Sequence, residues 1–482
     1  MKIVEAQMGS EQVGADAAQA FLEYFRCPRA FAPFRVMRSS PRGEGFFRLG
    51  SAVCFGKIFA AEWAEAPDRT LFDALSATEA STGHEVGLLF NPTEVIENLR
   101  RERYLVSSRG ERRLRSLYYL IRPILPFPIR KVLHRYVSRK RCGSVLPAWP
   151  VDCSVEQIFQ SLMELAIPAT GEPEIPFIWF WPEGKRCAAM MTHDVEEEIG
   201  VAHCDVLMDL DDSFSVKASF QIIPEGRYEG AEALITHIRS RGFEANVHDL
   251  DHDGRLYEHQ ELFRQRSQKI NHYARKYQME GFRAGSMHRN QEWFDLLEFQ
   301  YDMSVPTVAH MEPQSGGCCT VTPYFVGDVL ELPLTTVQDH SLFYILGEHS
   351  IDLWRKQIEI ISAHHGLISF IVHPDYIVKA TERRMYCQLL QHLSDMREEH
   401  DTWFALPQEI NRWWRQRREM RLVRTPDGWQ ISGLGSERAR LAYARIVDGK
   451  LAYRIVGGSP SSSTESASAR NSDLSAEHVD CG

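Results

Sequence analysis

The sequence predicts an α/β fold built around a parallel sheet or barrel, and two observations lead to this prediction. Between about residues 150 and 412, short apolar runs rich in β-branched residues alternate with polar segments of helical length. Repeated β-α units of this kind imply parallel strands, with functional side chains at the carboxyl ends of the strands. Chemically reactive side chains do follow these runs, which favours a single shared site.

The expected elements follow one another in order along this region. The strand candidates are CAAMMT, VKASFQIIP, FEANV, GFRAG, YDMSV, VLELP, LISFIVH and TWFALP. The helical candidates are residues 230–240, 257–278, 291–299, 351–364 and 380–399. Earlier in the chain, Asn91 followed by Pro92 and Glu94 predicts a helix that begins with an N-cap and a capping box.

The length of the chain and changes in its composition predict four structural regions. A chain of 482 residues exceeds one small core, so we expect two or three domains, or one large domain with appendages. The expected parts are an N-terminal extension (1–150), a catalytic barrel (151–412), a small β-rich appendage (413–458) and a tail (459–482). The tail lacks large apolar side chains almost entirely, which predicts disorder.

Charge and cysteine usage narrow the class of protein. A formal net charge of −10 argues against a nucleic-acid partner, because binding to phosphate backbones depends on Lys and Arg. We find no signal-peptide pattern and no apolar run long enough to span a bilayer. The ten cysteines are scattered without a Cys-x-x-Cys pair, which favours free thiols in a reducing compartment. These features predict a soluble, cytoplasmic protein.

A basic segment at residues 100–141 contains fourteen Lys and Arg residues against only Glu102 and Glu111. We interpret it first as a solvated basic surface, because Pro123, Pro126 and Pro128 interrupt any long amphipathic helix. The alternative is an interfacial segment for anionic lipid or a phosphorylated substrate, which would bring the protein to the inner face of the membrane.

The first two polar clusters point to a metal site. The run CAAMMT is followed by His193, Asp194 and Glu196. In an extended chain Asp194 and Glu196 lie on the same face of the strand. The alternative is that both carboxylates cap a helix. In NVHDLDHDGR, His248 and His252 are four residues apart, as in metal-binding histidine pairs on a helix or tight turn. The alternative is two histidines hydrogen-bonded within an acidic loop. Two imidazoles and one carboxylate make the open three-ligand site of a catalytic zinc.

Three further clusters follow later strands. Arg283 lies between small residues in GFRAGSMHRN, where a surface salt bridge is the alternative role. Asp302 ends the strand YDMSV, where capping the next turn is the alternative. His373 follows an apolar run in ISFIVHPDY, and a titratable imidazole at the end of a buried strand suits a general acid. Asp375 could orient that imidazole.

Taken in this order, the clusters resemble the polysaccharide-deacetylase (NodB-homology) family of metal-dependent de-N-acetylases and related amide hydrolases. That family has a Thr-x-Asp-type motif, a His-x-x-x-His motif, an Arg-containing motif and a late apolar-x-His motif, and the resemblance covers residues 187–375. The flanking stretches PAWPVD, FIWFWPEGK and LMDLDDSFSVKASFQIIPEGRY resemble a bacterial subgroup assigned to cell-surface glycan biosynthesis. The resemblance implies a distorted (β/α) barrel of about seven strands.

The resemblance also implies a metal centre and its base. Glu196, His248 and His252 correspond to the metal ligands, and the expected cofactor is a divalent metal, with zinc the first choice. Asp194 corresponds to the general base that activates water on the metal. Arg283 corresponds to the arginine that orients this base and keeps it ionised.

The remaining implied roles concern the substrate. His373 corresponds to the histidine that protonates the leaving amine, and a backbone N–H near Gly285 or Ser286 would help to hold the oxyanion. The expected substrate-binding residues are Ser286, Asp302 and Asp375. The chain departs from the family pattern in two places, with Asp-Val-Glu in the first motif and Ala-Gly-Ser after the arginine of the third.

The resulting hypothesis is a hydrolase that removes an N-acyl group, acetyl first, from an amino sugar of a glycan or of its lipid- or nucleotide-linked precursor. One alternative is an inactive protein of this fold that binds glycans or acts as a scaffold in a biosynthetic assembly. Another keeps the hydrolase chemistry but applies it to a non-sugar amide or a formyl group.

Overall fold

The computed structural model describes residues 16–37, 43–59, 63–67, 70–80, 85–105, 141–399 and 401–457. Its strands are β1 (Phe34–Val36), β2 (Gly43–Leu49), β3 (Ala52–Ile58), β4 (Glu79–Ala80), β5 (Val86–Leu88), β6 (Ile175–Ile178), β7 (Cys187–Val195), β8 (Ala218–Ile222), β9 (Glu244–His248), β10 (Gly281–Arg283), β11 (Tyr301–Asp302), β12 (Tyr324–Val326), β13 (Val329–Glu331), β14 (Leu367–Ile371), β15 (Thr402–Phe404), β16 (Arg421–Thr425), β17 (Gly428–Ser432), β18 (Leu441–Val447) and β19 (Lys450–Ile455). Its α-helices are α1 (Gln19–Phe25), α2 (Pro92–Arg100), α3 (Ser154–Thr170), α4 (Glu198–Ser213), α5 (Ala231–Ser240), α6 (Gln260–Tyr277), α7 (Asp352–Ala363), α8 (Ala380–Glu399) and α9 (Pro407–Glu419).

A central sheet carries the polar clusters. Its strand order is β12-β13-β11-β10-β9-β8-β7-β14, and β15 also pairs with β7. Every neighbouring pair is parallel except β12–β13. All eight strand candidates from the sequence lie in this sheet. In the described residues β12 and β14 lie at opposite ends of the strand order and do not pair, so the sheet is open there and not a closed barrel.

Strand register brings the polar clusters to one edge of this sheet. Arg283 of β10 lies opposite His248 of β9, and Ile371 of β14 lies opposite Thr192 of β7. His373 therefore follows β14 at the level where Asp194 lies on β7. Because parallel strands end at the same side of a sheet, residues far apart in sequence converge there.

The N-terminal extension packs on the sheet domain through a buried aromatic core. Tyr24 stacks on Phe159 of α3 at 3.9 Å between ring centroids, and Phe25 packs edge-on against Phe177 of β6. The buried Arg417 of α9 connects these parts because its guanidinium donates to the carbonyl oxygens of Tyr24, Ile178 and Trp179. Burial lowers the pKa of Arg417 to about 9.

The C-terminal strands also join this assembly. The β18–β19 hairpin adds to β6, and β16–β17 forms a separate hairpin. Helix α9 continues across the boundary that the sequence placed at residue 412, so the expected appendage shares a helix with the sheet domain. The N-cap prediction is confirmed, because the Asn91 side chain accepts hydrogen bonds from the N–H groups of Thr93 and Glu94.

Two predicted segments fall wholly or mostly outside the described residues. They are the tail at 459–482 and most of the basic segment, at 106–140. None of the nine cysteines of the described part forms a disulfide bond. Among the helices that the structure describes, none combines the length and the apolar character needed to cross a bilayer.

We expect Glu102→Gln to lower the free energy of unfolding by about 3–5 kcal/mol, because it leaves the charge of a buried arginine unpaired. Both carboxylate oxygens of Glu102 accept hydrogen bonds from Arg289, whose side chain is fully buried. A matched control is Glu292→Gln, since Glu292 pairs with Arg101 and Arg103 at the surface and is 54% exposed. The control should cost less than about 1 kcal/mol. Urea unfolding measures both values, and equal losses would contradict the prediction.

Candidate active site

Glu196 lies at the centre of the polar edge, one residue after β7 ends. Its Oε1 is 3.0 Å from His252 Nε2 and 3.6 Å from His248 Nε2. The same oxygen is 3.6 Å from Nε2 of His373. The Glu196 side chain is 22% exposed, so the cluster opens to solvent at this residue. Val195, between Asp194 and Glu196, is fully buried in the core on the opposite face of the strand.

Glu196, His248 and His252 fit a divalent metal. Their ligand atoms lie within 4.8 Å of one another. A tetrahedral zinc with bonds of about 2.0–2.2 Å separates its ligand atoms by about 3.4 Å, close to the contacts around Glu196 Oε1. Apart from these contacts with carboxylate oxygens, both Nε2 atoms are buried without a hydrogen-bond partner in the part of the chain described, as expected of nitrogens that bind an ion.

Surrounding groups fix the orientation of His248. Its Nδ1 lies 3.2 Å from the carbonyl oxygen of Arg283, which can only accept a hydrogen bond. This contact requires a proton on Nδ1, and in the neutral imidazole that tautomer leaves the lone pair of Nε2 directed at the cluster. The carbonyl that sets this tautomer belongs to the strand next to β9, so the sheet itself orients the ligand.

His252 lies in a tight loop after β9 and not on a helix. Its φ of 54° and the φ of 55° at Asp249 place both residues in the left-handed region. The Asp249 carboxylate supports this loop by accepting hydrogen bonds from the N–H groups of Leu250 and Gly285. A Cβ on Gly285 would lie 2.5 Å from Asp249 Oδ2 and 2.8 Å from His252 Cδ2, so this position needs glycine.

Asp194 and Arg283 form a buried ion pair next to the metal ligands. Arg283 Nη1 donates to Asp194 Oδ1 at 2.7 Å and to Thr192 Oγ1 at 2.7 Å. Burial raises the pKa of Asp194, but the charges of Arg283, His248 and His373 outweigh burial and lower it. The other carboxylate oxygen lies 3.9 Å from His248 Nε2. Asp194 is therefore an ionised carboxylate facing the cluster, as a general base must be.

His373 completes the cluster through a carboxylate that the sequence analysis missed. Asp339 Oδ1 lies 2.6 Å from His373 Nδ1, and Asp339 Oδ2 accepts from the His373 backbone N–H at 2.7 Å. Burial lowers the pKa of His373, but Asp339 and Glu196 outweigh burial and raise it well above its usual value. A protonated imidazole beside Glu196 is suited to donate a proton.

Glu196 titrates in the opposite direction. Burial raises the pKa of its carboxyl group, but contacts with the imidazoles of His248, His252 and His373 hold that pKa well below its usual value. The carboxylate stays ionised, which a metal ligand requires.

The three expected substrate-binding residues differ in position. Asp302 is 1% exposed, and its two carboxylate oxygens accept hydrogen bonds from the N–H and Oγ of Ser304. It therefore caps a turn, which is the alternative role, with both of its oxygens engaged by Ser304. Ser286 is half-buried in the turn Gly285–Met287 with a φ of 55°. Because the Gly285 N–H already donates to Asp249, Ser286 is the better of the two expected oxyanion donors.

Asp375 does not orient His373, because Asp339 makes that contact. Asp375 Oδ1 is buried without a hydrogen-bond partner among the described residues, and burial raises the pKa of this carboxyl to about 6. His193 is structural, as its buried ring contacts the Val372 carbonyl through Nδ1 and Asp211 through Nε2.

Asp339→Asn is expected to lower the turnover of an amide by about 10–100-fold while zinc binding persists. The amide retains the shape of the side chain but removes the charge that keeps His373 protonated. His373 should therefore lose its proton at a lower pH than in the unmodified protein, and the alkaline limb of the pH–rate profile should shift to lower pH. An unchanged alkaline limb would contradict the assignment of Asp339 as a positioning residue.

Comparison with known proteins finds no matching family model and no matching curated protein. Solved structures do match about half of the chain. A protein described as a polysaccharide deacetylase from Mycobacterium smegmatis is 20% identical, with 49% of this chain and 93% of that chain covered and a TM-score of 0.40. Another protein described as a polysaccharide deacetylase, from Pseudomonas aeruginosa PAO1, is 14% identical, with coverages of 48% and 92% and a TM-score of 0.39. An allantoinase named Puue is 13% identical, with coverages of 48% and 92% and a TM-score of 0.40.

Proposed function

We propose that this protein is a metal-dependent amide hydrolase that removes an N-acyl group, acetyl first, from an amino sugar. The observation that carries the proposal is the set of Glu196, His248 and His252, in which both imidazole Nε2 atoms lack a hydrogen-bond partner among the described residues and face one carboxylate oxygen. Two imidazoles and one carboxylate are the ligand set of open, catalytic zinc sites, so zinc is the proposed metal.

The neighbours of this ligand set favour hydrolysis over a purely structural metal site. The chemistry that a divalent cation supplies there is Lewis acidity toward an acyl oxygen and a lowered pKa of water. Asp194, held ionised by Arg283, accepts a proton from the attacking water. His373, held protonated by Asp339, donates a proton to the leaving nitrogen. The backbone N–H of Ser286 is the proposed donor to the oxyanion.

The substrate class comes from the order of the sequence motifs. Their resemblance to polysaccharide deacetylases, and the flanking stretches similar to a subgroup of cell-surface glycan biosynthesis, support an N-acetylated amino sugar in a glycan or in its lipid- or nucleotide-linked precursor. The basic residues at 100–141 suit a phosphate-bearing precursor held at a membrane surface.

The test measures acetate release by the zinc-loaded protein from a panel of N-acyl compounds. The panel contains methyl glycosides of N-acetylglucosamine, N-acetylgalactosamine and N-acetylmannosamine, a chitin oligosaccharide, an N-acetyl amino acid and an N-formyl amine. We expect turnover of at least one acetylated sugar and loss of turnover after chelation. Turnover confined to the amino acid or formyl compounds would reject the sugar assignment. Full zinc loading without any hydrolysis would favour a binding protein or scaffold.

A further inference from the structure

A cluster of three aromatic rings packs against His373 through one of its members and has no part in the acid–base machinery. Tyr376 lies 5.0 Å from the His373 ring, measured between centroids. It also contacts Tyr344 at 5.1 Å and His340 at 5.4 Å, and His340 lies almost parallel to Tyr344 at 6.0 Å. We call these three side chains, His340, Tyr344 and Tyr376, the aromatic trio.

The aromatic trio is partly open to solvent and is held in place. All three side chains are half-buried, and His340 and Tyr344 flank or belong to the π-helical turn Ser341–Leu346. Wide turns of this type occur frequently at functional sites. The ammonium group of Lys379 lies 5.1 Å from the centre of the Tyr344 ring and also donates to its hydroxyl at 3.2 Å.

The role of His373 as proton donor sets the orientation of the substrate, and therefore which part of the substrate lies next to the aromatic trio. His373 donates its proton to the leaving nitrogen, so the group that carries this nitrogen must lie on the His373 side of the cluster. The acyl carbon lies on the side of Glu196, His248 and His252, where the metal would bind. The aromatic trio therefore borders the leaving group, which under the proposed function is the sugar ring.

The chemistry of this border suits a pyranose. One face of a sugar ring presents C–H groups, which pack on aromatic rings, while its hydroxyls need polar partners at the edge. Lys379 provides such a partner, because its side chain is 64% exposed and its ammonium group lies over the Tyr344 ring. An ammonium group can donate a hydrogen bond to a hydroxyl oxygen.

We propose that the aromatic trio is a stacking platform for the sugar ring that carries the acylated nitrogen. This inference rests on the proposed function and adds the residues that select a sugar over a simple amide. It does not involve the metal ligands.

The test compares Tyr344→Leu with Tyr344→Phe in the zinc-loaded protein. Tyr344 is the informative position because Tyr376, and not Tyr344, contacts His373. Substrates are the three methyl glycosides of N-acetylated hexosamines and the small amide N-ethylacetamide. We expect Tyr344→Leu to raise KM for the hydrolysed glycoside by about three- to tenfold with little change in kcat. Tyr344→Phe keeps the ring and should retain the KM of the unmodified protein. Neither variant should change kcat/KM for N-ethylacetamide.

Controls separate stacking from general damage. Tyr273→Leu removes a half-buried tyrosine of α6 that contacts Tyr277 and Glu225, away from the trio, and should leave KM unchanged. Zinc content and Tm show whether each variant is folded, and His340→Leu replaces Tyr344→Leu if the latter does not fold. An equal KM for the glycoside in the leucine variant and the unmodified protein would overturn the platform, and so would equal losses with N-ethylacetamide.

The platform and the proposed function fail in distinguishable ways. If the unmodified protein hydrolyses an acylated sugar but Tyr344→Leu keeps its KM, the function stands and the platform is wrong. If no compound is hydrolysed, calorimetric titration with the same glycosides tests whether the trio binds a sugar, independently of hydrolysis. Weaker binding by Tyr344→Leu than by Tyr344→Phe would support it, and equal or undetectable binding would overturn it.

Discussion

His248→Ala and His252→Ala are each expected to weaken zinc binding by at least about 100-fold and to abolish amide hydrolysis. Each substitution removes one of two buried nitrogens that lack a hydrogen-bond partner among the described residues and face Glu196. Zinc affinity is measured by competition with a chromophoric chelator, and zinc content by mass spectrometry. His272→Ala, an exposed histidine of α6, is the matched control and should bind zinc like the unmodified protein.

A second set of possible ligands makes this experiment decisive. Asp194, Glu196 and His373 also bring their ligand atoms within 4.8 Å of one another, and the two sets share Glu196. Under our assignment, His373→Ala keeps zinc and loses turnover. Loss of zinc from His373→Ala, together with full zinc in His252→Ala, would show that Asp194, Glu196 and His373 are the metal ligands instead.

Asp194→Asn is expected to lower kcat/KM by about 10³-fold while zinc content stays unchanged, since a positioned general base contributes about 10²–10⁴-fold. Asparagine has nearly the same shape and can still accept a hydrogen bond from Arg283, but it cannot accept a proton from water. Asp209→Asn removes an exposed carboxylate of α4 and is the control that should leave kcat/KM unchanged. Asp194→Asn with full activity would show that another group is the base. Loss of zinc from this variant would place Asp194 among the ligands.

Glu196 shows how far the sequence could predict the site. Alternation along an extended strand predicted that Asp194 and Glu196 share a face, and the structure brings both to within 4 Å of His248 Nε2. The spacing of His248 and His252 predicted that their rings meet, and their centroids are 4.9 Å apart. These predictions succeeded because strand periodicity and short loops are local properties.

Asp339 and Asp302 show where such reasoning ends. Asp339 comes just before the short π-helical turn Ser341–Leu346, between β13 and α7, where no periodic pattern of the sequence marks it. Only the packing of that segment on β14 brings it to His373. Asp302 does end a strand as predicted, but the turn at Ser304 takes both of its oxygens. A strand-end aspartate that caps a turn and one that faces a ligand have the same sequence signature.

The amino-acid sequence by itself determined eight of the nine central strands, the reactive residues at their ends and the pairs that share a face, because each depends on contacts between near neighbours in the chain. Tertiary structure alone decided that Glu196 is the centre of the cluster, that Asp339 holds His373, and that Tyr376 of the aromatic trio packs against the His373 ring. The physical reason is that these contacts join segments of different strands and loops, whose distances are set by sheet order and register and not by spacing along the chain.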